Sequence, residues 1–370
     1  MKIISLINTR IPTEKAYGYQ VARVCCELAR LGADVELWAP VKKKNTVMGD
    51  LFDYYKIDRN FSVKYINNIP FSNFFLHRIS FFITLLFTRI PKGAVVYTRS
   101  PELSFLFGMR GHPAFYAAHN FPKRGVALLK ILLSRSSGIV CNSSGTEAVF
   151  RRNGFTHTIV IRNGVDLEEF ILPLPQKEAR EKLKLPQDKR IILYSGHLYA
   201  WKGVDTVLES ARLSREDETV LFVLVGGTKK DIDIYRTRIE KMRLMNILLV
   251  GHVERNLIPV YLRASDVTLL PNTAKNQESA QYTSPIKMFE YMASGIPIVA
   301  SRLPSTEEVL HQGNALLVPP DDAQALLEGI KKVLSDKTFA ASIAAQGRKE
   351  AGQFTWRAHA EALRQFLRAA

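Results

Sequence analysis

Short apolar runs alternate with amphipathic segments along almost the whole chain, a pattern typical of strands that alternate with helices. Six runs in the first half predict strands: Lys2–Ile7, Asp34–Trp38, Val63–Ile66, Val95–Thr98, Ala114–Ala118 and Gly138–Asn142. Six more follow Ile161: Arg190–Ser195, Val220–Val225, Ile247–Val250, Val267–Leu270, Pro297–Ala300 and Ala315–Val318. Strands covered by helices on both faces read as nearly continuous apolar runs, so the pattern predicts parallel sheets.

The two consecutive series predict an α/β protein with two Rossmann-like, doubly wound domains. The segment Leu172–Pro186 lies between them, and its three prolines and many charges make it the best linker candidate. We predict a first domain over residues 1–170 and a second over residues 171–353. A final amphipathic segment, Phe354–Leu367, predicts a helix with no strand after it. Because ligands bind outside the carboxyl ends of strands in such sheets, we expect a ligand in a cleft between the domains.

The net charge of the chain limits the classes of partner that we expect it to bind. The chain of 370 residues has 51 Lys and Arg against 35 Asp and Glu, which gives a net charge of +16 and a pI near 9.7. Such a field favours nucleic acid, an anionic membrane or phosphorylated ligands. The sequence has no basic run with interleaved aromatic residues and no recognised nucleic-acid-binding module, so nucleic acid is the weakest of these options.

The three cysteines exclude two further classes. Cys25, Cys26 and Cys141 show neither a CxxC pair nor a Cys/His ligand spacing. We therefore expect no structural zinc and no disulfide framework, but buried thiols in a reducing cytoplasm. The chain opens directly on an apolar strand, so we predict no signal peptide and a cytoplasmic location.

The most hydrophobic run is Phe71–Ile90, which His77 and Arg78 interrupt. The charge-free stretch that remains is shorter than the roughly 20 residues that span a bilayer, so a transmembrane helix is not expected. Two interpretations stay open. The run is either a core helix or a surface helix that lies in a membrane interface, and Arg78, Arg89 and Lys92 favour the second.

The stretch Ser279–Ser301 carries the clearest candidate chemistry. It predicts a polar loop, a short helix that stops at Gly295, and a buried strand. Lys287 and Glu290 are three residues apart near the start of the helix and so are neighbours on one face. A helix N-terminus with a lysine attracts phosphate, and a carboxylate one turn later suits hydroxyl groups, as in a nucleotide-sugar. A solvated ion pair on an ordinary helix is the open alternative.

Glycines at predicted strand ends add to this picture. In Tyr194–Val204 a strand ends at Gly196, and Lys202 then opens a helix, so that backbone and cation can both approach a ligand. Gly226–Gly227 and Gly251–Val253 also follow strands, either as turn residues or as ligand loops.

Three positions in the first half are weaker candidates. Gly18 follows the first strand alone, where a dinucleotide fold would have G-x-G-x-x-G, so NAD or FAD is poorly supported. His119 follows a strand and is either structural or directed to the cleft. Arg99 is a further candidate that would hold an anionic group.

The segment Ser284–Ser301, SPIKMFEYMASGIPIVAS, resembles the donor-binding segment of the retaining glycosyltransferases of family 4, which have the GT-B fold. The segment Tyr194–Gly203, YSGHLYAWKG, is similar to that family's second phosphate-binding element, G-x-L-x-x-x-K-G. The resemblance implies two Rossmann-like domains facing across a cleft. It makes residues 1–170, with the returning helix 354–370, the acceptor-binding domain, and residues 171–353 the donor-binding domain.

The resemblance also implies a reaction. It implies metal-independent transfer from a nucleoside-diphosphate sugar to a saccharide or lipid-linked acceptor, in glycan or cell-envelope polysaccharide synthesis, with no cofactor beyond the sugar nucleotide. A lipid-linked acceptor suits a peripheral position on the inner, anionic face of the cell membrane. The catalytic group would be His119, Lys202, Lys287 and Glu290. Donor-binding residues would be Gly18, Gly196, His197, Lys202, Gly227, His252, Val253, Ser284, Pro285, Ile286, Lys287 and Glu290. Acceptor-binding residues would be Arg99, Tyr19 and His119.

The chain departs from the family pattern at three places. Tyr282 stands where the family usually has a first glutamate eight residues before Glu290, and Glu278 is the acid that would substitute if the loop folds back. His197 stands for a common arginine, and Gly18 for a pair of glycines. These departures favour one alternative, a non-catalytic GT-B protein that binds membrane or polyanions. A second alternative, a GT-B nucleotide-sugar 2-epimerase, would need catalytic carboxylates in the first domain, where no matching pattern appears.

Overall fold

The structure is a computed structural model that describes residues 1–41, 49–69, 71 and 73–369. Ser72, which belongs to the hydrophobic run of residues 71–90, lies outside the described residues. The chain forms two compact units. Unit 1 comprises Met1–Asn163 and Trp356–Ala370, and unit 2 comprises Gly164–Thr355.

The described residues form thirteen strands. Unit 1 contains β1 (Lys2–Leu6), β2 (Asp34–Pro40), β3 (Ser62–Ile66), β4 (Val95–Thr98), β5 (Ala114–Ala118), β6 (Gly138–Cys141) and β7 (Thr158–Val160). Unit 2 contains β8 (Arg190–Ser195), β9 (Val220–Val225), β10 (Ile247–Gly251), β11 (Val267–Leu270), β12 (Ile298–Ser301) and β13 (Leu316–Val318). All twelve predicted strands are present, and β7 extends the first sheet beyond them.

Sixteen α-helices connect these strands in the described chain. They are α1 (Ala16–Arg30), α2 (Leu51–Tyr55), α3 (Phe74–Phe87), α4 (Pro101–Met109), α5 (Val126–Leu133), α6 (Ser144–Arg152), α7 (Leu167–Phe170), α8 (Gln176–Leu183), α9 (Val204–Leu213), α10 (Lys229–Lys241), α11 (Ile258–Ala264), α12 (Ile286–Ser294), α13 (Pro304–Glu307), α14 (Ala323–Ser335), α15 (Lys337–Ala351) and α16 (Trp356–Arg368).

Both sheets are wholly parallel and doubly wound. The first has the order β3-β2-β1-β4-β5-β6-β7 and the second the order β10-β9-β8-β11-β12-β13. The strand order reverses between β1 and β4 and again between β8 and β11. Such switch points leave a crevice at the carboxyl ends of the strands, where α/β proteins bind their ligands. The two Rossmann-like domains that the sequence predicts are thus confirmed.

Helices cover each sheet on both faces. In β8, Ile191 and Leu193 pack in one apolar layer of unit 2, whereas Ile192 and Tyr194 pack in the other. This alternation shows that apolar residues point in both directions from the strand, and it explains why the strands read as unbroken apolar runs.

The segment Leu172–Pro186 is not a linker. Its central residues form α8, where Arg180 donates hydrogen bonds to the carboxylate of Asp266 at 2.7 Å and to the carbonyl of Ala264 at 3.0 Å. These buried bonds tie the segment to α11 and make it part of unit 2. Prolines at both ends of α8 end and start the helix rather than opening a flexible connection.

The chain crosses between the units after Asn163 and after Thr355, whereas the sequence suggested boundaries after residues 170 and 353. Phe170 is buried in the core of unit 2, and it draws α7 into that unit. The last helix, α16, packs against α1 in unit 1, where the ring centroids of Trp356 and Tyr19 are 6.0 Å apart.

Helix α3 presents two contrasting faces. Phe81 and Leu85 are buried in a core cluster of unit 1, while Phe87 on the other side is 82% exposed. No helix in the described ranges is long and apolar enough to cross a membrane. Neither of the two sequence interpretations of this run is therefore complete by itself, because one face is core and the other meets solvent.

Candidate functional site

Glycines lie at the carboxyl ends of three neighbouring strands in the sheet of unit 2. Gly196 and Gly226 follow β8 and β9, and Gly251 is the last residue of the neighbouring β10, with φ of +126°, +116° and +88°. These values lie in the region that only glycine enters readily. A Cβ at Gly226 would lie 2.3 Å from the carbonyl oxygen of Gly196, and one at Gly227 would lie 2.9 Å from the side chain of Leu198. A side chain at Gly226 or Gly227 would clash, so these positions of the sheet edge present backbone atoms only.

Helix α12 begins beside this edge. It starts at Ile286 after Pro285 and ends at Gly295, whose φ of +68° is typical of a helix C-terminus. No side chain caps its first turn. The N–H of Met288 binds the carbonyl of Pro285 at 3.0 Å, whereas the N–H groups of Ile286 and Lys287 precede the first carbonyls that the helix offers. The sequence predicted both ends of this helix. Ser284 and Pro285, which lead into it, lie next to these N–H groups along the chain.

Lys287 is the central group of the site. Its side chain is buried, with the residue only 8% exposed, and Nζ lies 3.7 Å from the centroid of the Tyr194 ring. Nζ has no hydrogen-bond partner among the described residues. Burial lowers the pKa of Lys287 well below its usual value, the charge of Lys202 lowers it further, and the charge of Glu290 raises it. A buried ammonium that no hydrogen-bond acceptor of the described chain meets is costly.

Lys202 lies close to Lys287 and reinforces this charge. Its Nζ is 3.9 Å from the centroid of the Trp201 ring, and burial lowers its pKa to about 8, against a raising effect of Glu278. Gly203 follows with φ of +75°, and a Cβ there would meet the carbonyl oxygen of Pro271 at 1.7 Å. Only glycine fits at position 203, because the backbone that follows Lys202 packs directly against the backbone of Pro271.

The loop between these elements holds His197. Its ring stacks on that of Tyr199 with centroids 4.9 Å apart, and the Tyr194 hydroxyl donates a hydrogen bond to the His197 carbonyl at 2.7 Å. The structure thus places His197 in the same loop as Gly196. Its contact with a diphosphate remains a prediction.

Glu290 is held by residues that the sequence did not single out. Its Oε1 accepts a hydrogen bond from Nη1 of Arg255 at 2.9 Å, and Nη2 of Arg255 binds Oε2 of Glu169 at 3.1 Å. Arg255 lies 35 and 86 residues from these two acids. No local spacing could have revealed the contact, because the pairing depends on the packing of α7, α12 and the turn after β10.

The other predicted donor residues lie at the same sheet edge. His252 is exposed and Val253 half-buried in the loop after β10, two strands from β8. Tyr282 is buried, and its hydroxyl accepts a hydrogen bond from Gln277 at 2.7 Å. Glu278 is exposed, and its charge acts on Lys202. That Glu278 takes the place of the first glutamate remains a prediction.

Within unit 1, a small pocket lies at the switch point between β1 and β4. It brings together Arg99 from the end of β4 and His119 from the end of β5, as the sequence suggested. Its lining residues are Ser5, Leu6, Ile7, Gln20, Val21, Val24, Tyr97, Thr98, Arg99, Ala117, His119 and His359. Burial lowers the pKa of Arg99 to about 10, and no carboxylate of the described chain pairs with it. Burial also lowers the pKa of His119 well below its usual value, helped by the charges of Arg99 and His359.

His359 is a pocket residue that sequence reasoning missed. It comes from α16, and its Nδ1 donates a hydrogen bond to the carbonyl of Arg162 at 2.7 Å. Nε2 is then the unprotonated nitrogen of the neutral ring, and it has no partner in the described chain. Burial lowers the pKa of His359 to about 4, so the ring is neutral near pH 7. The C-terminal helix therefore supplies a hydrogen-bond acceptor as well as packing.

Packing accounts for two other predicted residues of unit 1. A Cβ at Gly18 would lie 2.1 Å from the hydroxyl oxygen of Tyr55, so this position needs glycine whatever binds nearby. Tyr19 is buried between Tyr55 and Trp356, at ring distances of 6.1 and 6.0 Å, and is not among the pocket lining. The contacts of Gly18 and Tyr19 with ligands remain predictions.

The acidic run Asp231–Asp233 belongs to a helix. Asp231 accepts a hydrogen bond from the backbone N–H of Thr228 at 3.0 Å and completes a capping box at the start of α10. Across the part of the chain that the structure describes, no group of three His, Cys, Asp or Glu side chains is placed to hold a metal ion.

Comparison with solved structures defines the class of fold. A sucrose-phosphate synthase from Thermosynechococcus elongatus superposes with a TM-score of 0.80 at 21% identity, covering all of this chain and 99% of that one. HepE of Anabaena, solved in complex with UDP, superposes with a TM-score of 0.77 at 20% identity over the full length of both chains. The two doubly wound sheets are those of the GT-B fold.

Sequence comparison finds related proteins for part of the chain. Residues 175–350 match the model of the glycosyl transferases group 1. A D-inositol 3-phosphate glycosyltransferase of Xylanimonas cellulosilytica is 29% identical over 208 residues, which are 53% of this chain and 48% of that protein. The UDP-Gal:alpha-D-GlcNAc-diphosphoundecaprenol alpha-1,3-galactosyltransferase of Escherichia coli is 27% identical over 186 residues, 49% of this chain and 46% of that protein. The matches span about half the length of these relatives.

Proposed function

We propose that the protein is a retaining, metal-independent hexosyltransferase of glycan or cell-envelope polysaccharide synthesis. It transfers a sugar from a nucleoside-diphosphate sugar to a saccharide or lipid-linked acceptor. The observation that carries the proposal is the pair Lys202 and Lys287, two neighbouring cations at the sheet edge of unit 2 whose pKa values burial lowers. An anion with two phosphates would satisfy both.

The reaction breaks the bond between the anomeric carbon and a β-phosphate oxygen. The electron pair stays on that oxygen, so negative charge grows on the leaving diphosphate. Lys202, Lys287 and the first N–H groups of α12 stabilise this charge, the role that a metal ion takes in other sugar transferases. The acceptor hydroxyl attacks from the face that the diphosphate leaves and gives its proton to the departing phosphate oxygen, and the anomeric configuration is retained. No side chain is assigned as a nucleophile.

The proposal gives the pocket of unit 1 to the acceptor. Arg99 would bind an anionic group, while His119 and the neutral His359 offer imidazole nitrogens to hydroxyl groups. The names of the two relatives describe a phosphate on D-inositol and a diphosphate on undecaprenol. A phosphate-bearing acceptor is consistent with a buried arginine that no carboxylate neutralises.

A lipid-linked acceptor also accords with the exposed side of α3. We name the α3 apolar face after its six exposed side chains: Phe75, Leu76, Ile79, Ile83, Leu86 and Phe87. Residues 71–135 carry nine Lys and Arg but a single acid, Glu102. An exposed apolar stripe within a basic region suits an anionic membrane interface. We therefore propose peripheral attachment to the cytoplasmic face of the cell membrane through this face.

A thermal-shift experiment tests the donor site. UDP, GDP, ADP, TDP and CMP are added to the protein with and without EDTA, and a nucleoside diphosphate should raise the melting temperature equally in both conditions. Lys287→Met should abolish the shift. The matched control is Lys182→Met, which changes an exposed lysine of α8 in the same unit and should keep it.

The outcome also separates the alternatives. No shift from any nucleotide would overturn the proposal in favour of a non-catalytic GT-B protein, and detectable hydrolysis of a nucleotide-sugar would exclude that alternative. The 2-epimerase hypothesis needs carboxylates in unit 1, and the pocket there is lined by no Asp or Glu of the described chain.

A further inference from the structure

One arginine joins two carboxylates beside the proposed donor site. Arg255 lies in the turn Arg255–Leu257 after β10, Glu169 in α7 and Glu290 in α12. Each guanidinium arm binds one acid, Nη1 to Glu290 at 2.9 Å and Nη2 to Glu169 at 3.1 Å. The Glu290 side chain is 7% exposed and that of Arg255 is 26% exposed, so their ion pair is partly shielded from water.

The pairing explains why Lys287 is left without a partner. Lys287 and Glu290 are three residues apart on α12, a spacing at which a Lys and a Glu can pair. Here Arg255 takes the carboxylate instead, and Nζ of Lys287 keeps no hydrogen bond within the described chain. Arg255 therefore keeps the phosphate-binding cation available.

The pairing also leaves one carboxylate oxygen available. Oε1 of Glu290 accepts from Arg255, whereas Oε2 carries no hydrogen bond in the ranges that the structure describes. A carboxylate fixed through one oxygen can accept from a neighbouring hydroxyl through the other without losing its orientation. Glu169 holds the second arm of the arginine and so restricts its rotation.

We propose that Arg255 is a positioning residue for the ribose of the donor, acting through Glu290 and held in turn by Glu169. This inference rests on the proposed function, with Glu290 as the carboxylate that binds the donor, and adds the residue that orients this carboxylate. A lysine could not replace Arg255 fully, because two carboxylates in different directions need the planar fork of a guanidinium.

Isothermal titration with three probes tests the proposal. The probes are the nucleoside diphosphate that wild type binds, its 2′,3′-dideoxy form and inorganic pyrophosphate, which lacks ribose. Wild type should bind the ribonucleotide about tenfold more tightly than the dideoxy form, since a hydrogen bond to a charged group is lost. Arg255→Met should reduce this ratio to about one, and Arg255→Lys should restore it in part.

Pyrophosphate gives a readout that a merely structural residue would not move. In Arg255→Met, Glu290 should turn to Lys287, and pyrophosphate should bind more weakly than to wild type. Adding Glu290→Gln to that variant should restore the pyrophosphate affinity, because the competing charge is gone. Arg236→Met is the control, since it breaks an exposed arginine–aspartate pair of unit 2 and should change neither readout.

Two results would overturn the inference, and they differ. If wild type bound no nucleoside diphosphate, the proposed function would fail and this inference with it. If wild type bound one and Arg255→Met kept the full preference for ribose, only the role of Arg255 would fail. Melting temperatures of all variants show whether each is folded.

Discussion

Each unit has cationic side chains near its switch point, but the side chains that surround these cations differ between the two units. In unit 2, Lys202 and Lys287 are near each other and both respond to a neighbouring acid, Glu278 for the first and Glu290 for the second. In unit 1, Arg99 lies with two histidines whose pKa values burial lowers. The first arrangement concentrates positive charge, whereas the second offers one cation and uncharged nitrogens. The difference indicates an ionic ligand for unit 2 and a ligand with both an anionic group and hydroxyls for unit 1.

Removing a cation from unit 2 tests this contrast most strongly. Lys287→Met should weaken nucleoside-diphosphate binding about 30-fold or more, because truncating a buried partner of a charged group costs about 2–5 kcal/mol. Titration calorimetry measures the affinity. In unit 1, Arg99→Met should leave nucleotide affinity unchanged if the ligands are divided as proposed. An equal loss in both variants would show that the two sites do not act on separate ligands.

The second test concerns the surface of unit 1. Phe75→Ser combined with Phe87→Ser should weaken binding to vesicles with an anionic lipid about tenfold or more, since burying one such side chain contributes about 1.5–3 kcal/mol. Co-sedimentation measures the bound fraction. The control is Met245→Ser in unit 2, where the side chain is 91% exposed but lies outside the α3 apolar face.

Vesicle binding should also fall with added salt, as the basic surface loses its attraction for the lipid. If the double variant bound as wild type does, attachment through α3 would be excluded. Loss of binding in Met245→Ser as well would point to a general change of the surface rather than to this helix.

The sequence predicted more of the candidate site in unit 2 than of the pocket in unit 1, and the reason is physical. In unit 2 each candidate lies within one strand–loop–helix segment, Lys202 in Tyr194–Val204 and both Lys287 and Glu290 in Ser279–Ser301. The local pattern therefore already predicted that Lys202 follows a strand end and that Lys287 and Glu290 lie near the start of a helix. In unit 1 the pocket joins strand ends with a helix from the far end of the chain. His359 could not be found from spacing, because its place depends on how α16 packs against α1.

Three other features could not be predicted from the sequence for related reasons. Arg255 meets Glu290 only through tertiary packing, and nothing in its local sequence distinguishes it from surface arginines. The segment Leu172–Pro186 was misjudged because charge and proline suggest a linker, while the buried bonds of Arg180 that fold it against α11 leave no local mark. The open choice for Phe71–Ile90 arose because a helix with one buried and one exposed apolar face shows no amphipathic pattern.

A third test uses pH to separate the units. Lys202, with a pKa of about 8, loses its proton as the pH rises above 8, so nucleotide affinity should fall by up to about tenfold per pH unit there. His119 and His359 have lowered pKa values, about 4 for His359, so they stay neutral and add no change between pH 6 and 8. Titrations from pH 6 to 9 measure both effects. Lys202→Arg should flatten the alkaline fall, because arginine stays charged.

A wild-type profile that stayed flat up to pH 9 would contradict this assignment, since it would show that Lys202 does not contact the nucleotide.

The smallest expected effect is that of Lys287→Met on the stability of the ligand-free protein, and the direction of the change is the informative part. A buried ammonium with a lowered pKa destabilises the ligand-free protein, because the unfolded chain holds that proton more tightly. Lys287→Met should therefore raise the melting temperature by about 2–4 °C for each kcal/mol recovered. The gain should shrink as the pH rises toward 10.5, where the wild-type lysine becomes neutral in both states. Calorimetry at pH 7 and 9 measures it, with Lys182→Met as the unchanged control.

The contact of Lys287 with the Tyr194 ring acts against this gain, since an aromatic face attracts a cation. A lower melting temperature in Lys287→Met would mean that the ring contact outweighs desolvation and that the lysine is a stabilising core residue. A higher one, together with lost nucleotide binding, would mean that the unit gives up stability to keep a cation ready for its ligand. Arg99→Met in unit 1 should then show the same sign, because its guanidinium is likewise buried without an acid, and a different sign there would confine this cost to the donor site.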